Sequence, residues 1–144
     1  FWTANAWGSV ISLQPDEPDA IISIPTSNAL MEWVMARDPD FFYGGPSLYF
    51  GVYYGSYPKA VGGRPDLAKE NFDRAVASGK GRFLMTDVLY ARTYAVGIQD
   101  QELFKKLLTR VVEASPDLLP EQRLANTVAQ KRARELLAHA EELF

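Results

Sequence analysis

The spacing of prolines and glycines constrains the fold of this chain more than any other feature. Between these breakers, apolar residues recur every three or four positions, which is the period of one face of an α-helix. The helix breakers lie at 15–18, 38–40, 44–46, 58–63, 79–81 and 116–120. The pattern predicts an all-α fold built from helices that are joined by short turns and pack as antiparallel hairpins.

Seven helices are expected from these breaks. They run from Trp2 to the break at Pro15, from a cap at Thr26 or Ser27 to about Arg37, from Leu48 to about Tyr57, and over 65–77, 83–98, 100–114 and 121–144. Pro46 suits the first helical position of the third helix. Asp100 suits the N-cap of the sixth helix. The only strand-like run is the short one at 20–24.

The first helix carries an apolar face. Length, charge and cysteine content limit the number of domains and the kinds of partner and site. Trp2, Ala6, Val10 and Leu13 fall on one side of that helix. A length of 144 residues fits one domain, which we assign to 1–144. The formal charge is −3 without a basic stripe, so nucleic acid and anionic membranes are not expected partners. The absence of cysteine excludes disulfides and zinc–thiolate sites.

The chain opens in what looks like the middle of a helix. It begins with Phe1 rather than Met, it shows no signal peptide, and it has no apolar run of the ~18 residues that a membrane span needs. We therefore expect the full-length protein to have a further N-terminal part.

The predicted helices show an internal repeat of the tetratricopeptide kind. In one unit, Phe50-Gly51 and Tyr54 supply the first helix, and Ala68, Phe72 and Ala75 supply the second. A following unit repeats the spacing at 90–94 and 104–116, and 28–39 matches the second half of an earlier unit. Small residues allow two helices to approach closely while large ones fill the groove opposite. The repeat predicts an α-α superhelix.

These residues resemble a known family. The segments 38–46 (DPDFFYGGP), 48–54 (LYFGVYY), 88–92 with 94–96, and 123–126 with 129–130 are similar to the T component of tripartite ATP-independent periplasmic (TRAP) transporters. The resemblance covers roughly Trp2 to the C-terminus, and the Gly-Gly-Pro block is its most specific part.

The resemblance implies a helical periplasmic lipoprotein that associates with the substrate-binding P component of the transporter. It also implies a homotrimer with a cleft or pore for a small apolar ligand. Two departures stand out. The chain has no lipobox cysteine, so lipid anchoring would require a missing N-terminal segment. The repeats expected upstream are absent too.

Aromatic residues of the third helix are the richest candidate site. Tyr49, Tyr53 and Tyr57 lie four residues apart, while Phe50 and Tyr54 occupy an adjacent face. Tyrosines suit a binding groove because they combine apolar area with a polar tip. The alternative is that they are ordinary core aromatics. The full set of predicted ligand- or partner-binding residues is Tyr43, Gly45, Pro46, Tyr49, Tyr53, Tyr90, Arg92, Tyr94, Arg123 and Asn126.

Other members of this set have their own competing interpretations. The segment 44–46 either leaves helix N-terminal amides open to a carboxylate or is a plain turn. Arg92 lies in an apolar helix with Asp87 one turn earlier. Arg123, Asn126, Gln130 and Arg134 form a polar stripe that either faces a cleft or a partner, or is solvated.

No constellation for catalysis, cofactor or metal binding is apparent. There is no phosphate loop or nucleophile elbow, and His139 is the only histidine. We therefore predict a non-catalytic binding subunit. Two alternatives remain: a general repeat scaffold for peptides or self-assembly, unrelated to transport, and an enzyme that uses Asp87 or Asp38 with Arg92.

Overall fold

A computed structural model describes residues 1–13, 17–56 and 63–144. This part of the chain is all-α, with seven α-helices and no strand, which confirms the predicted fold class. The helices are α1 Trp2–Leu13, α2 Pro18–Arg37, α3 Phe41–Gly55, α4 Pro65–Ser78, α5 Met85–Leu89, α6 Gln101–Glu113 and α7 Arg123–Ala138. The predicted breaks at Pro15 and Pro58, and Tyr57, lie outside the described residues.

Helix α2 begins nine or ten residues earlier than the predicted cap at Thr26 or Ser27 implies. It starts with Pro18 at its first position and continues through Pro25, so the strand-like run at 20–24 is helical. A proline removes only one N–H from the ladder, and a helix can continue past it when packing compensates. Ser27 does not cap this helix, because its hydroxyl donates to the carbonyl oxygen of Ala4 at 3.1 Å.

Helix α3 contains a left-handed turn near its start. Phe42, Tyr43 and Gly44 have φ values of 48°, 61° and 79°, and the regular helix follows from there to Gly55. The predicted turn therefore exists, but it begins two residues before the Gly-Gly-Pro block and includes only the first glycine of that block. Glycine is required at position 44, because a Cβ there would lie 2.9 Å from the Cα of Ala75.

The C-terminal helices follow the predicted breaks with two differences. Helix α5 continues directly into a π-helical segment, Tyr90–Ala95. The side chain of Asp100 caps α6 by accepting from the Leu103 amide at 2.9 Å, which confirms the predicted N-cap. Helix α7 ends at Ala138 rather than Phe144, and a 3-10 turn at Ala140–Glu142 follows, so the prediction of one unbroken final helix was wrong.

Two hydrophobic clusters form the interior. The N-terminal cluster gathers Ala4, Met31 and Phe50 with flanking aromatic residues. The C-terminal cluster is aliphatic apart from Phe104 and includes Leu84, Val88, Leu108, Val111 and Ala129. Helices α3 and α4 pack closely between them, and Phe72 contacts Gly51, where a Cβ would lie 3.0 Å from the ring. That contact has the small-against-large form that the repeat predicts, and the superhelix itself stays a prediction.

The apolar face predicted for α1 lies on the outside. Trp2 is 57% exposed and Leu13 is 81% exposed, while the buried side of the helix is formed by Ala4. Helix α2 adds exposed apolar side chains beside it. We call the set Trp2, Trp7, Val10, Leu13, Ile21, Ile22 and Trp33 the N-terminal apolar face.

Candidate functional site

Tyr49 joins the first three helices. Its hydroxyl donates to Asn28 Oδ1 at 3.0 Å and lies 2.7 Å from the Ser27 hydroxyl, both on α2. Its ring covers Gly8 of α1, where a Cβ would lie 2.8 Å from a ring carbon. Burial raises the pKa of Tyr49, and the hydrogen bond with Ser27 partly opposes that rise. This predicted site residue therefore supports the packing of α1, α2 and α3.

Tyr53 lies one turn further along α3 and makes fewer polar contacts than Tyr49. Its ring is tilted against Tyr54 at 5.1 Å between centroids, and Tyr54 in turn stacks on Phe50 at 6.0 Å. The Tyr53 side chain is only partly buried, and no described residue hydrogen-bonds its hydroxyl. Of the two tyrosines predicted on this face, Tyr53 is thus the one that has a polar group available to a ligand.

The π-helical segment brings three predicted residues, Tyr90, Arg92 and Tyr94, into one turn. The Tyr90 ring stacks on Phe72 at 4.6 Å, and its hydroxyl donates to Asp73 Oδ1 at 3.0 Å. Burial raises the pKa of Tyr90, and the Asp73 carboxylate raises it further. Tyr94 packs 5.4 Å from Tyr90 and stays partly exposed. Such π-helical turns are frequent at functional sites, which keeps this segment a candidate.

Arg92 does not pair with Asp87. Arg92 is exposed, and none of the described carboxylates lies within ion-pair distance of it. Asp87 is buried and pairs with Arg110 of α6, which also donates to the Gly81 carbonyl oxygen. Desolvation raises the pKa of Asp87 to about 6, although the Arg110 guanidinium lowers it. The suggested pair of Asp87 and Arg92 is therefore replaced by a structural pair between α5 and α6.

Gly45 and Pro46 are buried in the structure. The Phe1 ring lies against Gly45, where a Cβ would approach it to 2.6 Å. Pro46 is enclosed as fully as Gly45. Their burial fits the plain-turn interpretation better than a site open to a ligand.

Tyr43 connects the left-handed turn to the N-terminal end of α7. Its ring stacks on Phe83 at 5.5 Å, and its hydroxyl donates to Glu121 Oε1 at 3.2 Å. Burial raises the pKa of Tyr43, and Glu121 raises it further. Arg123 follows two residues after Glu121 and forms an exposed ion pair with Asp117 at 3.1 Å. Tyr43 is thus held against the segment that leads into Arg123 and α7.

Asn126 and Gln130 do not face a cleft. Asn126 is buried, accepts from the Leu84 amide at 3.0 Å and donates to the Arg82 carbonyl at 3.0 Å. Gln130 donates to the Ala114 carbonyl at 2.6 Å. The predicted polar stripe therefore divides into two sides of α7. Its amides satisfy buried backbone groups, while Arg123 and Arg134 are exposed.

Sequence reasoning missed several residues that shape these sites. Glu121, Phe83 and Asp73 are partners of predicted tyrosines, yet each lies far from its tyrosine in sequence or on another element. The apolar side of α1 was predicted, but its exposure was missed, although a signal existed: α1 contains no charged residue at all. In the described ranges, no group of three metal-ligating side chains comes together, and no helix there has the length and apolarity of a membrane span.

These features define an all-helical protein in which many of the candidate residues pack against other elements of the chain. Over residues 1–144, the sequence matches the family described as TRAP transporter T-component. The chain belongs to this family, which confirms the resemblance noted from its motifs. It is also similar, at 20% identity over 144 residues, to an uncharacterized protein of Treponema pallidum (strain Nichols). The chain spans 45% of the length of that relative.

Proposed function

We propose that this chain is a non-catalytic periplasmic subunit of a TRAP-type transporter that docks the substrate-binding P component. The observation that carries the proposal is the family match along the whole chain, 1–144. A homo-oligomer, lipid anchoring through a further N-terminal segment, and the periplasmic location belong to the same proposal. The partly exposed aromatic and arginine side chains among the candidate residues support it, because such groups suit the binding of a partner.

A small ligand with an apolar body and a carboxylate is the second part of the proposal. It is supported by Tyr53 and Tyr94, which combine partly exposed rings with hydroxyls that lack a hydrogen-bond partner among the described residues. Arg92 adds an exposed guanidinium in the same segment as Tyr94. A guanidinium is suited to bind a carboxylate through two parallel hydrogen bonds.

The docking proposal is tested by size-exclusion chromatography with light scattering, on the protein alone and mixed with its cognate P component. We expect a complex of defined stoichiometry. If the two proteins elute separately over a range of concentrations, with and without the transported solute, the transporter-subunit proposal fails. Binding of extended peptides in the same experiments would then favour the general scaffold.

The ligand proposal is tested separately by calorimetric titration with decanoate, which has both an apolar chain and a carboxylate. We expect Tyr53→Ala and Arg92→Gln each to weaken binding by about tenfold, equivalent to roughly 1.4 kcal/mol. Phe144→Ala is the matched aromatic control, because Phe144 lies against Phe104 in the C-terminal cluster. Equal affinity in the wild type and in both variants would contradict the assignment of these residues.

A further inference from the structure

Helix α7 has a charge opposite to that of the whole chain. The protein has a formal charge of −3. Helix α7, in contrast, has four cationic side chains and a single carboxylate, that of Glu135. The four cations are Arg123, Lys131, Arg132 and Arg134, and all are exposed. A positive surface on an acidic protein favours a partner surface that is negative.

The same side of α7 exposes apolar side chains. Leu124 is 78% exposed and Val128 is 38% exposed. They lie four residues apart and therefore one above the other on the helix surface. Lys131 and Arg132 follow Val128 on the next turn. The Glu135 carboxylate lies one turn further on the same side, beside Lys131. An apolar pair bordered by cations is the composition of a small protein–protein contact, with an apolar centre and a charged rim.

The cations of this face are only partly neutralised within the chain. Lys131 and Glu135 are 3.9 Å apart and largely exposed, so their attraction is weak. No described carboxylate lies within ion-pair distance of Arg132 or Arg134. Helix α4 differs, since Lys69 and Arg74 each pair with a carboxylate one turn away. Helix α6 also exposes two cations, Lys105 and Lys106, but it carries two carboxylates against three cations, whereas α7 carries one carboxylate against four cations. Helix α7 thus has the larger excess of positive charge.

The opposite side of α7 holds the helix in place. Ala129 and Ala133 are fully buried, and the Asn126 and Gln130 amides bond to backbone groups of other elements. A face on an anchored helix is already ordered before a partner arrives, which lowers the entropic cost of association.

We infer that the outer face of α7, formed by Leu124, Val128, Lys131, Arg132 and Arg134, docks a protein surface that presents carboxylates around an apolar side chain. This inference rests on the proposed function, since the partner we assign to this face is the P component. The exposed Leu124 and Val128 favour a protein over a nucleic acid or an anionic bilayer surface, whose phosphates would contact only the cations.

The test compares two charge reversals of equal size on different helices. Arg132→Glu with Arg134→Glu changes the outer face of α7, and Lys105→Glu with Lys106→Glu changes exposed positions of α6. Affinity for the cognate P component is measured by calorimetry at 50 and 300 mM NaCl. We expect the α7 pair to weaken binding at least tenfold and to reduce its salt dependence, while the α6 pair stays within about twofold.

A neutral variant and an apolar variant complete the design. Arg132→Gln with Arg134→Gln should give an intermediate loss, and Leu124→Ser should weaken binding without altering the salt dependence. Circular dichroism of each variant confirms that the helices remain folded, as expected for exposed positions.

The possible outcomes separate the inference from the proposed function. Equal losses in the α6 and α7 pairs would mean that only the overall charge matters, and the inference fails. If the α7 variants bind as tightly as the wild type, docking uses another surface and only the proposed function stands. If the wild type binds phosphatidylglycerol vesicles or DNA through these cations but not the P component, both are overturned.

Discussion

The N-terminal and C-terminal regions of this protein bury their apolar residues in different ways. In the C-terminal region, α5, α6 and α7 enclose an aliphatic cluster, and two amide side chains satisfy the backbone groups at its edge. In the N-terminal region, α1 and α2 leave the N-terminal apolar face exposed, and the Tyr49 hydroxyl links them to α3. The comparison teaches that burial and therefore stability are concentrated at the C-terminal end.

The junction of the two regions should give the largest effect. Phe72 is fully buried between Gly51 of α3 and the Tyr90 ring. We expect Phe72→Ala to lower the free energy of unfolding by about 3–5 kcal/mol, because removal of the buried ring leaves a cavity between α3 and α4. Urea denaturation measures the change, with Phe144→Ala as a control at a partly exposed position. A loss below about 1 kcal/mol would mean that the two regions do not pack through this ring.

The stability of the C-terminal region depends on the buried hydrogen bonds of Asn126. We expect Asn126→Ala to lower the free energy of unfolding by about 2–4 kcal/mol, because the Leu84 amide and the Arg82 carbonyl lose a buried partner. Thr127→Ala, on the exposed side of the same helix, controls for helix propensity. Similar values for the two variants would contradict the buried role of the amide.

The pair formed by Asp87 and Arg110 should make the C-terminal region sensitive to pH. The pKa of Asp87 is raised from 3.8 to about 6 by desolvation, so the folded state binds a proton more readily than the unfolded state. The contribution of Asp87 to the free energy of unfolding is therefore fully present below pH 4 and is lost as pH rises through about 6. We expect a fall of about 1–3 kcal/mol between pH 4 and pH 7 that is absent in Asp87→Asn.

The measurement is the difference between the unfolding free energies of wild type and Asp87→Asn across this pH range. Taking the difference removes the titration of the other carboxylates. A difference that does not change with pH would show that the Asp87 carboxyl has the same proton affinity in the folded and unfolded states.

The smallest effect is expected in the N-terminal region. Tyr49→Phe removes the hydroxyl that joins α3 to Ser27 and Asn28 but keeps the ring over Gly8. We expect a loss of about 1 kcal/mol. Hydrogen exchange should show faster exchange of amides in α1 and α2, with α6 and α7 unchanged. Equal acceleration in both regions would contradict the conclusion that the Tyr49 hydroxyl acts mainly on the N-terminal region.

Much of the helical pattern could be predicted from the sequence, because it depends on neighbouring residues. The Asp100 cap is set by a side chain and an amide three residues apart. The start of α2 was missed because the run at 20–24 has a strand-like pattern and Thr26 or Ser27 suits a helix cap. The helix nevertheless runs through Pro25, and the residues after this proline make tertiary contacts. Ser27 hydrogen-bonds Ala4, and Met31 is fully buried.

The candidate site was less predictable, because partners come from distant parts of the chain. Tyr43 was selected from its motif, but its contact with Glu121 spans 78 residues. Arg92 was matched with Asp87 on spacing alone, whereas the closer partner of Asp87 is on α6. Leu124 is exposed beside cations because the Asn126 and Gln130 amides turn the opposite side of α7 toward the protein interior. The sequence does not show which side that is.

The sequence by itself determined that this protein is all-α, where most helices break, and which transporter family it belongs to. Those properties follow from proline and glycine geometry, apolar periodicity and local motifs. The tertiary structure alone decided which helix faces are buried, which tyrosine hydroxyls are occupied and which cations remain exposed. The physical reason is that burial and pairing depend on distances between residues far apart in the chain. The spacing of side chains along one helix cannot predict those distances.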